Sequence, residues 1–260
     1  FCYRETFGNK VRAISADNLI GQLEMLYKDF GIRDVQFYDD IFLGDKKSIR
    51  EFCEKMIYSR SRMIWLCNMR AELSTPEILK LMRRAGCYMV DYGVESGSPE
   101  VLNSMKKNAP LDRTIESIRM AQAAGIDITC GFMIGSPGET RETIESTLKV
   151  SISIAPDTAM YNITTPFPGT EIFKEAEENG TLLTRDWDMY DYSHVVLNND
   201  ALPAAEVEAL YRSIYKRFYF RPAYILGRIG KLRSPAHLSM MVRAFFVVLS
   251  LALFEKRRQA

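Results

Sequence analysis

Five short apolar runs, each followed by a longer amphipathic stretch, constrain this chain more than any other feature of it. The runs are residues 35–38, 63–67, 88–94, 126–134 and 158–163. They are near-continuous in apolar or β-branched side chains, as strands covered on both faces are. Between them, apolar residues recur at helical spacing. Leu19, Leu23, Leu26 and Tyr27 mark one face of a first helix, which Gly31 ends. Ile49, Phe52, Cys53 and Met56 mark a second. A third opens at Ser74-Thr75-Pro76-Glu77, with a capping hydroxyl, an early proline and a glutamate three residues after Ser74, and ends at Gly86. Ile115, Ile118, Met120 and Ala121 belong to a fourth, ending at Gly125, and Ile144, Leu148 and Ile152 to a fifth. Strands separated by such helices imply right-handed βαβ units and a parallel α/β sheet. Successive units without a break predict a partial TIM-like barrel; a doubly wound open sheet is the alternative.

Polar clusters follow the predicted strands: Asp39-Asp40, then Asn68 and Arg70, then Glu95-Ser96-Gly97-Ser98, then Gly135-Ser136-Pro137-Gly138-Glu139, then Thr164-Thr165-Pro166. In parallel barrels the reactive groups stand at the C-terminal ends of strands. The repeated coincidence argues for an enzyme.

At 260 residues, 47% apolar and 26% charged, the chain can bury one large core. It opens on Phe1 without a charged-then-apolar leader, so the sequence does not read as secreted. The five cysteines are odd in number and none are spaced C-x-x-C, which points to a reducing, cytoplasmic compartment. Cys67, Cys87 and Cys130 lie in or beside apolar runs and read as core. The pattern changes near residue 170. Residues 1–170 read as the barrel and 171–260 as a helical, basic extension. That extension holds a short helix over 170–180, an aromatic-rich stretch over 187–197 and a long helix over 204–220. Residues 209–260 hold eleven Lys/Arg against Glu255 alone, so this tail should meet an anionic surface or dock on the acidic body. Residues 244–254 are eleven uncharged residues, which at about 1.5 Å each reach only half of a ~30 Å hydrocarbon core. They read as a packing or interfacial helix.

Three motifs carry a resemblance. Tyr92-Gly93-Val94-Glu95-Ser96-Gly97-Ser98 with the following Leu102, Met105 and Lys106-Lys107 is one; Gly131-Phe132-Met133-Ile134-Gly135-Ser136-Pro137-Gly138-Glu139-Thr140 is another; Pro166-Phe167-Pro168-Gly169-Thr170 is the third. Together they resemble radical S-adenosylmethionine enzymes over nearly the whole chain, and the subgroup that usually carries an upstream cobalamin-binding domain. Phe1-Cys2-Tyr3 then looks like the end of the family's C-x-x-x-C-x-aromatic-C signature. The resemblance implies a (β/α)6 barrel lacking its first strand, with the chain beginning inside that motif. It implies a [4Fe–4S] cluster held by three thiolates, whose open iron takes S-adenosylmethionine.

Residue by residue, the resemblance makes Cys2 the third cluster ligand and catalytic metal site, with Phe1 packing near adenine. Asp39 and Asp40 would bind the methionine amino group, partly through backbone carbonyls. Glu95 and Ser96 would reach the ribose or the methionine carboxylate. Gly131, Ile134 and Gly135 would let the backbone approach adenine. Glu139 reads as a helix N-terminal acid. Arg70 reads equally as a carboxylate ligand or one half of a structural ion pair. His194 and His237 read as structural or surface residues. The implied function is radical chemistry on an unactivated carbon, by methyl transfer or oxidative cyclisation. Its substrate would be a small molecule, lipid-like or tetrapyrrole-like. Its electron donor would be a flavodoxin or ferredoxin, and cobalamin would enter through the upstream domain. The barrel shows no basic patch with interleaved aromatics, so nucleic acid is not expected. Two other readings stand beside this one. A phosphate-binding aldolase-type barrel would want a strand-end lysine, and no predicted strand ends in one. A non-catalytic barrel would touch a membrane through its basic tail.

Overall fold

The computed structural model describes residues 8, 12, 14–231, 242, 243 and 245–249. Phe1, Cys2, His237 and most of 244–254 lie outside the described residues. The strands are β1 Asp34–Phe37, β2 Ile64–Asn68, β3 Cys87–Glu95, β4 Asp127–Ile134 and β5 Thr158–Ile163. Around them run α1 Ala16–Phe30, α2 Lys46–Tyr58, α3 Pro76–Arg84, α4 Pro99–Ser104, α5 Leu111–Ala123, α6 Arg141–Ile154, α7 Glu171–Glu178, α8 Ala204–Tyr219 and α9 Pro222–Gly230. Side-chain caps fix most helix starts. Ser15, Asp45, Thr75, Ser98, Thr140 and Thr170 each accept an N–H of the first turn. The cap of α3 is Thr75, not Ser74 as the capping pattern suggested, because the Ser74 hydroxyl is spent on Tyr92 Oη, 2.7 Å away.

All five strands are parallel and lie in the order β1-β2-β3-β4-β5. A doubly wound sheet reverses its strand order midway; this one never does, and it curls into a partial barrel. Register sorts the side chains, since partners across a ladder share a face. Facing the helices are Val90, Tyr92 and Val94 of β3, Ile128, Cys130, Phe132 and Ile134 of β4, and Ala159, Tyr161 and Ile163 of β5, all at most 2% exposed. Below β1 and β2, Phe37, Phe42, Phe52 and Trp65 pack edge-on or tilted at 4.8–5.8 Å between centroids. Cys53, Cys67, Cys87 and Cys130 are free and buried, and burial raises the thiol pKa of Cys53, Cys67 and Cys130.

The outer edge of β5 is closed by tyrosine hydroxyls rather than by a strand. Tyr215 Oη accepts from Tyr161 N and donates to Tyr161 O, at 3.1 and 3.0 Å. One turn later, Tyr219 Oη treats Ala159 the same way, at 3.0 and 2.7 Å. Tyr224 Oη donates to Asp157 O, and Ile163 N donates to Tyr192 O. Spacing of four residues on α8 thus meets spacing of two on the strand. The tail also docks electrostatically on the body. Arg217 pairs with Glu145, Arg228 with Asp157, and Lys231 with Asp127 and Asp157.

Candidate active site

The concave face differs from the helix-facing one. It carries Gln36 on β1, Leu66 and Asn68 on β2, and Met89, Asp91 and Gly93 on β3, followed by Thr129, Gly131 and Met133 on β4 and Met160 and Asn162 on β5. Gly93 and Gly131 are ladder partners, so two adjacent strands lack side chains at one level. A Cβ built on Gly131 would meet nothing within 4 Å, so this position opens onto free space. Asp91 and Thr129 pair one level deeper. Asp91 Oδ1 is buried without a hydrogen-bond partner, and desolvation pushes the Asp91 pKa up.

Glu95 ends β3 at a register shift and holds a left-handed backbone, φ 66°. Its carboxylate folds back over Gly93 and accepts from Lys107 Nζ at 2.9 Å. Only glycine permits this, since a Cβ at position 93 would lie 2.3 Å from Glu95 Oε1. The pair is partly buried, with side chains 15% and 22% exposed. Lys107 is therefore a site residue that the motif reading assigned no role. Glycine two residues before a strand-end acid was the signal that the acid turns back.

Ser96 is fully buried, and its hydroxyl faces the fold: it contacts Thr147 Oγ1 at 3.2 Å and accepts from Ser98 N at 3.1 Å. The carbonyl of Asp39 accepts from Asn68 Nδ2 at 2.9 Å, and the Asn68 carbonyl accepts from Phe42 N, so Asn68 pins the loop after β1 at both ends. The Asp39 and Asp40 residues themselves are exposed. Arg70 takes the ion-pair alternative, bidentate to Glu72.

The loop after β4 is locked from within. Glu139 is fully buried; its Oε2 accepts from Gly135 N and Ser136 N at 2.7 and 3.1 Å, while Oε1 has no partner. Burial pushes its pKa up to about 7. Asn199 donates to the carbonyls of Ser136 and Glu139, and Ser136 Oγ meets Thr164 Oγ1 at 2.7 Å. Glu139 is thus a turn anchor, a stronger role than a helix-end acid. The Ile134 side chain faces the helices, and its carbonyl accepts from Thr164 N. Of the three residues expected to approach adenine, Gly131 is the one that leaves open space.

Beside the mouth, a cavity of about 190 Å³ lies between Met105, Met133, Pro137, Thr164 and Ile172. Phe167, Tyr190, Tyr192 and Trp187 form a chain of ring contacts at 4.8–6.0 Å, with Trp187 57% exposed. His194 is held by Asp191 at 2.8 Å, a structural pairing.

Fold and site together define a parallel partial-barrel protein with a polar, half-open mouth at the C-terminal ends of its strands. A family model described as the Radical SAM superfamily matches residues 1–150. The chain belongs to that superfamily, whose members use a [4Fe–4S] cluster and S-adenosylmethionine. It is 30% identical over 223 residues to an uncharacterized methyltransferase of Pyrococcus horikoshii, covering 86% of this chain and 49% of that protein. It is 26% identical over 227 residues to the anaerobic magnesium-protoporphyrin IX monomethyl ester cyclase of Rubrivivax gelatinosus, covering 86% and 40%. The chain thus spans half or less of the length of these relatives. Among solved structures, the radical S-adenosylmethionine methyltransferase TsrM of Kitasatospora setae, with cobalamin and a [4Fe–4S] cluster bound, superposes with a TM-score of 0.64. That match has 16% identity and covers 90% of this chain and 55% of that one, so it speaks for the fold.

Whether the residues fit the family's groups divides cleanly. The open level at Gly131 and the strand-end Glu95 fit a nucleoside. Among the described residues no three His, Cys, Asp or Glu side chains gather as a metal site, and their four cysteines are core. None of the described residues is therefore placed to hold a cluster, and Cys2, the ligand the resemblance implies, lies outside them.

Proposed function

We propose that this chain is the catalytic barrel of a radical S-adenosylmethionine methyltransferase acting on an unactivated carbon of a small molecule, with cobalamin as methyl carrier. The observation that carries the reading is the open space at Gly131 beside the Glu95–Lys107 pair, which folds over the neighbouring Gly93, toward the C-terminal end of the strands where such sites belong. The chemistry supplied by a bound cluster is one-electron reduction of the sulfonium, which breaks a carbon–sulfur bond and leaves a 5′-deoxyadenosyl radical. The chain's own residues bind and orient. Glu95 presents acceptors to ribose hydroxyls, and Lys107 holds that carboxylate or turns to the methionine carboxylate. Gly131 gives adenine a surface without side chains. Glu139 fixes the loop above it, and the aromatic wall at Phe167 and Tyr190 keeps water from the radical. Oxidative cyclisation is the second reading, favoured by the similarity to a cyclase. The same proposal includes a flavodoxin- or ferredoxin-type electron donor and a peripheral membrane contact through the basic tail.

The test uses the full-length protein, reconstituted anaerobically with iron and sulfide and given S-adenosylmethionine and dithionite. It should release 5′-deoxyadenosine, and Cys2→Ala should abolish it. A folded wild type with no cluster absorbance and no 5′-deoxyadenosine would reject the reading. Methyl-deuterated S-adenosylmethionine separates the two reactions, since methyl transfer alone carries label into product.

A further inference from the structure

α9 buries none of its residues, although most are apolar. Ile225, Leu226 and Ile229 are 40%, 68% and 54% exposed. Helical spacing puts them within an arc of about 100°, so they form one stripe. Val242, Phe245 and Phe246 are 46%, 47% and 62% exposed. The Phe245 ring meets Phe220 at 5.8 Å, at the junction of α8 and α9, which brings the two apolar segments together. Single exposed apolar residues are ordinary; a contiguous patch marks an interaction site.

Charge narrows the partner. From residue 209 to 254 the sequence has no acidic residue. Several of its cations are already engaged: Arg217, Arg228 and Lys231 by the acids of the body, and Arg221 over the Phe218 ring at 4.5 Å. Arg243 has no ion pair among the described residues, and Lys256, Arg257 and Arg258 follow in sequence. A complementary surface must be apolar and anionic at once. The headgroup boundary of an acidic bilayer is both.

We propose that the stripe of α9, together with Val242, Phe245 and Phe246, docks peripherally on an anionic lipid bilayer. This gives the membrane contact of the proposed function its residues and its lipid chemistry, and it holds or fails apart from the radical chemistry. No helix among the described residues is long and apolar enough to cross a membrane, so the contact lies along the surface. Asp157 and Asp127 pin α9 and its C-terminal Lys231 to the N-terminal ends of β4 and β5. Glu95 and Gly131 sit toward the other end. The bilayer therefore tethers the protein and leaves the mouth facing away, open to an electron donor.

The experiment is vesicle sedimentation of the full-length protein, on phosphatidylcholine alone and on phosphatidylcholine doped with phosphatidylglycerol. Binding should require phosphatidylglycerol and be lost at about 0.5 M salt. The double variant Leu226→Gln with Phe246→Ser should lower the bound fraction about tenfold, with an unchanged melting temperature because both residues are exposed. Arg243→Glu should weaken binding to doped vesicles in a well-folded protein. Three results would overturn the proposal: no sedimentation with doped vesicles, equal binding to neutral ones, or a wild-type dimer that the double variant makes monomeric, which would give this face to a second copy. The 5′-deoxyadenosine assay reports on the radical chemistry separately.

Discussion

The two faces of one sheet follow opposite rules. Toward the helices, every side chain of β3 to β5 is apolar or a tyrosine with a bonded hydroxyl, and almost nothing is exposed. Toward the lumen, the same strands alternate glycine, threonine, methionine and an acid with an unpartnered oxygen. The first face is filled to hold the fold. The second is left partly unfilled and partly unsatisfied, as faces that receive a ligand are. One-residue alternation along a strand therefore separates stability from function, and substitutions on the two faces should differ in kind.

The contrast is sharpest at Trp65, on the helix side, 1% exposed and donating to Ala85 O at 2.9 Å. Trp65→Ala should cost about 4 kcal/mol, read from urea unfolding. Glu139, at the rim between the faces, should give the next largest effect. Its pKa is raised from 4.5 to about 7, so the folded state binds its proton more tightly than the unfolded chain does. The resulting stability is complete below pH 4.5 and is lost as pH rises through about 7. Across that window the wild type should lose about 3 kcal/mol relative to Glu139→Gln, measured as paired unfolding curves against pH. A flat difference would show that the carboxyl titrates normally.

Smaller effects belong to the lumen. Asp91→Leu should stabilise the protein by about 1 kcal/mol, because it removes a desolvated oxygen with no partner. Loss of stability instead would make Asp91 part of the fold. Gly131→Ala should leave stability within about 0.5 kcal/mol, since its Cβ enters free space. In the full-length protein it should nevertheless weaken S-adenosylmethionine binding about tenfold, read by equilibrium dialysis.

Much of the fold was legible from residues 34 to 163, because buried parallel strands are dense in apolar side chains and the helices between them carry plain caps and periodicity. The burial of Cys67, Cys87 and Cys130 followed from the same density. What the sequence hid depends on choices between equivalent groups. Ser74 and Thr75 are both good caps, and only Tyr92 Oη decides between them. Ser96 follows the strand-end acid in the motif, yet the close approach of α6 turns its hydroxyl inward to Thr147, fifty-one residues away. Lys107 gained its role through a backbone bulge whose one trace in the sequence is Gly93, two residues before Glu95. Residues 204–220 read only as a long helix, and the role of Tyr215 and Tyr219 stayed hidden, because hydrogen bonds from a helix side chain to a distant strand leave no local signature.

Those tyrosines have a further consequence. Each hydroxyl that occupies both an N–H and a C=O of β5 removes a position where another strand could be added. Among the described residues β1 has a ladder partner on one side only, β2. The sheet is thus directional: it has a terminus at β5 that rejects extension and a growing side at β1. Any further strand, whether from elsewhere in the protein or from another molecule, has one place to go. The hydroxyls of Tyr215 and Tyr219 thus end the sheet at β5 without the sheet having to close on itself.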